Sequence, residues 1–266
     1  SYVRENRRGK TSHDTFPGLI AFPKHTGELD GECYGFHLGA SANHKLRAEL
    51  MADGRSYVQF GELLFPGEIV LQAGESYTTP VLYTGFGSKG FSSLSRQFHN
   101  FIRENILTHT AESKPRPVHY NTWEGIYFDH NEDTLKALAD KVAPLGIERF
   151  VLDDGWFKGR RHDKAGLGDW FVDKAIYPQG LDGLIDHVTG LGMEFGIWFE
   201  PEMVNPGSDL YRAHPEWALQ TQNNPHVPFR NQYVLDLTNP EVVDYLFNVI
   251  NDVLSTYPKI SYIKWD

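Results

Sequence analysis

Residues 260–266 combine a predicted strand with groups that could take part in catalysis. The apolar residues of this segment alternate with small or polar neighbours, a spacing that predicts a β-strand. The strand ends in Lys264 and Asp266, and the carboxyl ends of strands are where α/β barrels hold their catalytic groups. We therefore predict that Asp266 is a catalytic carboxylate. The alternative is that Asp266 only caps the next helix.

Two more predicted strands end in paired carboxylates. Asp153 and Asp154 directly follow one buried strand, and Glu200 and Glu202 follow another. Adjacent side chains on an extended strand point to opposite sides, so one of the two aspartates could face a barrel axis. There it could accept hydrogen bonds from substrate hydroxyl groups. The alternative for both pairs is helix capping and a solvated loop.

Three tryptophans lie at or just after predicted strand ends: Trp123, Trp156 and Trp198. One tryptophan in such a place would normally belong to the core, but three near the same rim suggest an aromatic-walled pocket. Carboxylates and isolated cations can hold sugar hydroxyls in fixed directions, while indole faces cover the C–H patches of a sugar. A further carboxylate at the anomeric carbon would give glycoside hydrolysis.

The charge balance argues against a nucleic-acid partner. The 266 residues contain 25 Lys+Arg and 35 Asp+Glu, a net charge of −10, and no long basic run offers the clustered cations that phosphate binding needs. No apolar run reaches membrane-spanning length. The sequence thus favours a small-molecule partner, with neither nucleic acid nor membrane.

Other chemistries find little support. The single cysteine, Cys33, allows no intrachain disulfide or cysteine metal cluster. It fits a reducing compartment, and with no signal-peptide core at the amino terminus we expect a cytoplasmic protein. The histidines are scattered without an HExxH pair, and neither a GxSxG elbow nor a GxxxxGK[ST] loop occurs. We expect no metal and no cofactor.

The amino-terminal part of the chain, up to about residue 85, is predicted to be all-β. Glycine-containing turn pairs recur there, and short apolar runs lie between them. Several short strands at near-regular spacing are typical of a sandwich. The predicted strands are at residues 19–22, 34–38, 57–60, 69–71 and 81–84.

A helix and a stiff linker are predicted next. Apolar residues over 91–107 follow helical spacing, and the prolines of residues 114–117 would then end the helix. We expect residues 1–87 to be part of a β-domain, 88–117 a helical linker, and 118–266 a second domain.

From residue 118 strands alternate with helices. The strands end near residues 123, 153, 199 and 266, each before a polar loop, and the intervening helices are predicted at 133–145, 181–191 and 240–254. A further strand at 233–237 is expected outside the main sheet. Such repeats imply a parallel sheet, here about half of a (β/α)8 TIM-type barrel. The alternative, a doubly wound open sheet, would usually carry a glycine-rich phosphate turn after its first strand.

With these residues in view, the chain resembles glycoside hydrolase family 36, the microbial α-galactosidases. Upstream segments around Arg7-Arg8-Gly9 and Glu32-Cys33-Tyr34-Gly35-Phe36 are similar to that family's β-sandwich. The matching blocks downstream are Tyr120-Asn121-Thr122-Trp123-Glu124, Leu152-Asp153-Asp154-Gly155-Trp156, Gly196-Ile197-Trp198-Phe199-Glu200-Pro201-Glu202-Met203-Val204, Arg230-Asn231-Gln232 and Tyr262-Ile263-Lys264-Trp265-Asp266.

The resemblance implies a β-supersandwich followed by a (β/α)8 catalytic barrel, and retaining cleavage of terminal α-galactosides such as melibiose and raffinose. By position, Asp266 is similar to the nucleophile. The resemblance also implies six substrate-binding residues. They are Asp153, Asp154, Trp123, Trp198, Arg230 and Lys264.

The resemblance places the general acid/base after the nucleophile, beyond residue 266. It therefore implies that the chain is a fragment of a longer enzyme, inactive by itself and homo-oligomeric when complete. Lys264 is expected to help keep Asp266 ionised, since the two side chains share one face of a strand. Two alternatives stay open: an α-galactosyl or α-N-acetylgalactosaminyl transferase or hydrolase of the same clan, and a non-catalytic carbohydrate-binding remnant.

Overall fold

The computed structural model describes residues 1–107, 115–221 and 225–266. The chain divides into two compact units, Ser1–Lys114 and Pro115–Asp266. Residues 108–114, which belong to the predicted helical linker 88–117, lie outside the described residues. No helix in the described ranges is both long and apolar enough to cross a lipid bilayer.

The first unit contains two three-stranded antiparallel sheets, as expected for a β-sandwich domain. The strands are β1 (Tyr2–Asn6), β2 (Gly18–Ala21), β3 (Cys33–Leu38), β4 (His44–Leu50), β5 (Ser56–Glu62) and β6 (Leu82–Gly87). One sheet has the order β1-β4-β5 and the other β2-β3-β6.

The strand predictions in this unit are partly wrong. Residues 69–71 form no strand; they lie exposed between two glycine turns, so their apolar character marks no buried face. β1 and β4 were not predicted, because their sequences are mainly polar. In β4 only His44 and Leu46 are fully buried, too few to give an apolar alternation.

Helix α1 (Gly90–Phe101) packs on the sheet that contains β3 and β6, and a π-helical turn (Ile102–Ile106) extends it. This confirms the predicted helix. Gly35 and Gly85 are direct cross-strand partners beneath the side chains of Leu94 and Phe98. A Cβ on Gly35 would come within 2.8 Å of the Phe98 ring, so glycine is needed for this close approach of helix and sheet.

The second unit is built on a four-stranded sheet in which every neighbouring pair is parallel. Its strands are β7 (His119–Asn121), β8 (Arg149–Leu152), β9 (Glu194–Phe199) and β12 (Ile260–Trp265). They lie side by side in chain order, β7-β8-β9-β12. This is the arrangement predicted for the first half of a (β/α)8 barrel.

Helices and a small hairpin connect these strands. They are α2 (Trp123–Ile126), α3 (Glu132–Val142), α4 (Asp182–Gly190), α5 (Asp209–Ala213) and α6 (Pro240–Thr256), with the hairpin β10 (Met203–Val204) and β11 (Tyr233–Val234). β11 pairs with β10 and not with the parallel sheet, as predicted. Asn239 caps α6 by accepting from the backbone of Glu241, and α6 begins at Pro240, where the helix was predicted to begin.

The core of this unit lies between the parallel sheet and its helices. The strands contribute Phe150, Leu152, Phe195 and Ile197, and the helices Leu135, Leu184, Val188, Val242 and Leu246, all within one buried cluster. Packing of this face of the strands against the helices fixes the sheet, so the strand ends that carry the polar residues are held in place.

Candidate active site

Side chains from three of the four parallel strands meet at Asp153. Its Oδ2 accepts a hydrogen bond of 2.5 Å from Nδ2 of Asn121, at the end of β7. The same oxygen lies 2.8 Å from Nζ of Lys264, near the end of β12. The carboxyl ends of parallel strands lie at the same sheet edge, which is why residues far apart in sequence converge here.

The other carboxylate oxygen and the backbone N–H of Asp153 also have hydrogen-bond partners. Its Oδ1 accepts from the backbone N–H of Asp154 at 2.9 Å, and its own N–H donates to Oγ1 of Thr122 at 3.0 Å. The side chain is 4% exposed, whereas that of Lys264 is 36% exposed. Asp153 is therefore a buried acceptor, and Lys264 is the member of this ion pair that reaches solvent.

The Asp154 side chain binds a different partner, Arg160. Nε and one terminal nitrogen of Arg160 donate to the two carboxylate oxygens at 2.9 and 2.8 Å. Burial raises the pKa of the Asp154 carboxyl, and the Arg160 guanidinium opposes that rise. The two neighbouring aspartates thus face different surroundings, as expected for consecutive residues of an extended segment.

Asp266 is bound by Trp198. Nε1 of Trp198 donates to Oδ2 of Asp266 at 3.1 Å, and the backbone N–H of Asp266 donates to the carbonyl of Phe199 at 2.9 Å. Lys264 was expected to help keep Asp266 ionised through its positive charge, which stays a prediction. The hydrogen bond of its ammonium group goes to Asp153.

The three tryptophans occupy different environments. Trp156 is fully buried and donates to the carbonyl of Trp198 at 2.9 Å, so it belongs to the core and the expected pocket-wall position is wrong. Trp198 is 2% exposed and its ring is parallel to that of Phe157. Trp123 is half-buried and lies two residues after the end of β7, at the start of α2, so it stands just after a strand end as predicted.

Glu200 adds a further carboxylate next to Asp266. It is half-buried, and its Oε2 accepts from Nε2 of Gln232 at 3.3 Å. Burial raises the pKa of Glu200, and the negative charge of Asp266 raises it further, while the charges of Arg160 and Arg230 lower it. Arg230 itself is exposed and has a positive φ of 51°.

Three residues of this site were not singled out from the sequence: Asn121, Arg160 and Gln232. Asn121 and Gln232 stand within recognisable blocks but carry no charge that would attract notice. Arg160 forms only a short basic group with Arg161 in the sequence, yet the structure buries Arg160 almost completely. In the described part of the chain no group of three His, Cys, Asp or Glu residues could hold a metal ion.

Comparison with known proteins identifies the family. A model of the melibiase family matches residues 76–266, and a model of the glycosyl hydrolase family 36 N-terminal domain matches residues 1–72. The chain belongs to glycoside hydrolase family 36. Its fold is therefore that family's N-terminal domain followed by the first part of its catalytic domain.

Members of family 36 that resemble the chain are named α-galactosidases. The chain is 49% identical over 266 residues to an α-galactosidase of Escherichia coli, covering all of this chain and 37% of that protein. It is 41% identical to the α-galactosidase AgaA of Geobacillus stearothermophilus, covering 98% of this chain and 36% of that protein. The chain thus spans little more than a third of the length of these relatives.

Solved structures of family 36 show the same fold. The crystal structure of AgaA from Geobacillus stearothermophilus matches with a TM-score of 0.93 at 40% identity, covering 100% of this chain and 37% of that one. Variants of AgaA have been crystallised in complex with raffinose, with a TM-score of 0.93 to this chain, and with stachyose, with a TM-score of 0.92; each is 40% identical and covers 37% of that chain.

Proposed function

We propose that this chain forms the first part of a retaining α-galactosidase that removes terminal α-D-galactosyl residues from oligosaccharides such as melibiose and raffinose. The observation that carries the proposal is the oriented carboxylate of Asp266, held by the indole of Trp198 at 3.1 Å at the end of the fourth barrel strand. Residues 118–266 would be the first half of the catalytic barrel, and residues 1–87 part of the amino-terminal β-domain.

In this mechanism Asp266 is the nucleophile of a double displacement. Trp198 holds Oδ2, so Oδ1 attacks the anomeric carbon as the bond from that carbon to the leaving oxygen breaks. A second carboxyl group, which we place beyond residue 266, protonates the leaving oxygen and later takes a proton from the water that releases galactose. Retention requires the two carboxyl groups to be about 5–5.5 Å apart.

The substrate would be held by the groups around Asp266. Lys264 donates to Asp153 and has exposed surface left for a sugar hydroxyl. Asp154 and Arg230 would contribute a second acceptor and a second cation. Trp123, at the end of β7, and the edge of Trp198 would form the apolar walls against the sugar ring. The raffinose and stachyose complexes of AgaA support an oligosaccharide substrate.

The nucleophile can be tested with Asp266→Gly in the complete enzyme. Turnover of p-nitrophenyl α-galactoside should fall by several orders of magnitude, and azide should restore nitrophenol release by occupying the space of the lost carboxylate. The product should be the β-galactosyl azide. The matched control is Asp252→Asn, which removes an exposed carboxylate on α6 and should leave turnover unchanged. Near wild-type turnover of the Asp266 variant would refute the assignment.

A further inference from the structure

Asp154 and Arg160 form a buried ion pair beside the proposed sugar site. Their side chains are 8% and 2% exposed, and the guanidinium binds the carboxylate through two parallel hydrogen bonds. The fork geometry fixes the plane of the carboxylate as well as its position. A lysine could supply the charge but not the second directed bond.

The guanidinium is itself fixed on its remaining sides. The other terminal nitrogen of Arg160 donates to the carbonyl of Ala165 at 3.0 Å and to Oδ1 of Asn205 at 3.1 Å. Asn205 is fully buried and donates in turn to the carbonyl of Asn231 at 2.8 Å. The ring of Phe128 lies 5.3 Å from the guanidinium carbon, so Arg160 has little freedom to move.

A contribution to fold stability does not by itself account for the buried Asp154–Arg160 ion pair. Buried ion pairs lose much of their mutual attraction to desolvation, and apolar residues of similar volume can often replace them without loss of stability. An acceptor for sugar hydroxyls, however, must stay ionised and point in one direction. Each carboxylate oxygen of Asp154 keeps a further acceptor position beyond the one used by Arg160.

We propose that Arg160 is a positioning residue, which orients Asp154 and maintains its negative charge so that Asp154 can accept hydrogen bonds from the sugar. The inference rests on the proposed function, in which Asp154 binds substrate. Arg160 acts through Asp154 and does not touch the sugar. Other charged groups also act on Asp154: the carboxylates of Asp153, Glu200 and Asp266 disfavour its charge, and the guanidinium of Arg161 favours it. His130 binds its backbone carbonyl.

The test compares Arg160→Met and Arg160→Lys in the complete enzyme, with kcat and KM for p-nitrophenyl α-galactoside measured from pH 4 to 8. For Arg160→Met we expect KM to rise about tenfold or more and the acid limb of kcat/KM to move to higher pH, because Asp154 loses its cation. Arg160→Lys should also raise KM but leave the acid limb near its wild-type position. Arg212→Met, a change at an exposed surface pair, is the control and should alter neither quantity.

A double-mutant cycle with Asp154→Asn separates the possible outcomes. If Arg160 acts through Asp154, Arg160→Met should change KM little in the Asp154→Asn background. Independent, additive effects, or a lowered melting temperature with unchanged KM and pH profile, would overturn the inference. If Arg160→Met does not fold, Arg160→Lys provides the test: a raised KM supports the inference, and a wild-type KM overturns it. Failure of the proposed function would be seen separately, as wild-type activity of the Asp266 variant.

Discussion

The indole nitrogen of Trp198 donates to Oδ2 of Asp266 across two neighbouring parallel strands, although 68 residues separate them in sequence. The register of β9 and β12 pairs Trp198 with Lys264, so Asp266 lies just past the level of the tryptophan. The tryptophan is buried, and its ring cannot turn freely. This bond therefore fixes which oxygen of Asp266 faces the site.

Trp198→Phe should lower kcat by about 10- to 100-fold, since a hydrogen bond to a charged group is worth about 1.5–3 kcal/mol. The ring remains in the aromatic cluster, so the effect should come from the lost N–H donor. KM should change less than kcat, because the bond orients the attacking group. Steady-state kinetics on p-nitrophenyl α-galactoside would measure both.

Trp170→Phe is the matched control for that change. Trp170 lies in the same cluster, with its ring 6.0 Å from that of Trp198, but its indole nitrogen has no hydrogen-bond partner in the described part of the chain. The same truncation there should leave kcat within about twofold of wild type. Equal losses in the two variants would mean that the cluster, and not the bond to Asp266, matters.

Lys264→Met should raise KM by about tenfold or more, because it removes the more exposed member of the Lys264–Asp153 pair and takes away one of the two side chains that donate to Oδ2 of buried Asp153. Lys259→Met is the control near the start of the same strand. Lys259 forms an exposed pair with Asp186, and such pairs contribute about 0–1 kcal/mol. A wild-type KM for Lys264→Met would show that Lys264 does not bind the substrate.

Local patterns in the sequence predict the parallel strands well, because β8, β9 and β12 are short, mainly apolar runs that each end before a carboxylate. They could not predict that Lys264 reaches Asp153 and not Asp266. That contact joins residues 111 positions apart and depends on the order of the strands and on the register of β12 against β9. The register shifts between Ile260 and Tyr262, and no local pattern encodes such a shift.

The position of Trp156 shows a second limit. The prediction grouped Trp156 with the other tryptophans at strand ends, but Gly155 has a φ of 118°, which turns the chain and directs Trp156 into the core. A Cβ on Gly155 would lie 2.6 Å from Nε2 of His130. The turn is thus required by a buried histidine 25 positions earlier, a long-range packing constraint that residue spacing does not reveal.

Glu200→Gln should reduce kcat/KM for p-nitrophenyl α-galactoside and for raffinose by similar factors. Glu200 accepts a hydrogen bond from Gln232, which suits a residue that supports the site, and the general acid is expected beyond residue 266. Glu202→Gln, at an exposed carboxylate two residues away, serves as the control and should have little effect on either substrate.

The comparison of substrates decides the role of Glu200. A sugar leaving group needs protonation, whereas nitrophenolate leaves readily without it. If raffinose hydrolysis fell by roughly 10²–10⁴ while the nitrophenyl substrate was nearly unaffected, Glu200 would be the general acid. The raised pKa of its carboxyl beside Asp266 makes this a necessary experiment.

His130 should make the stability of the complete enzyme depend on pH below neutrality. It is 7% exposed; Nε2 donates to the carbonyl of Asp154 at 2.8 Å, and Nδ1 then accepts from the Tyr177 hydroxyl at 2.8 Å. Burial lowers the pKa of His130 from 6.5 to about 4, and the nearby charge of Arg161 also lowers it. The histidine is therefore neutral in the folded protein at pH values where it is charged in the unfolded chain.

Because the folded-state pKa lies below the unfolded value, this contribution to stability is fully present above about pH 6.5 and is lost as the pH falls towards 4. The free energy of unfolding should fall by about 3 kcal/mol over that pH range because of His130. His130→Gln should lower the melting temperature at pH 7.5 but make its further fall between pH 6.5 and 4 shallower than in the wild type. The control is His187→Gln, at a histidine paired with exposed Asp140, which should keep the wild-type slope. Parallel pH profiles for the wild type and His130→Gln would show that the buried neutral histidine does not cause the pH dependence.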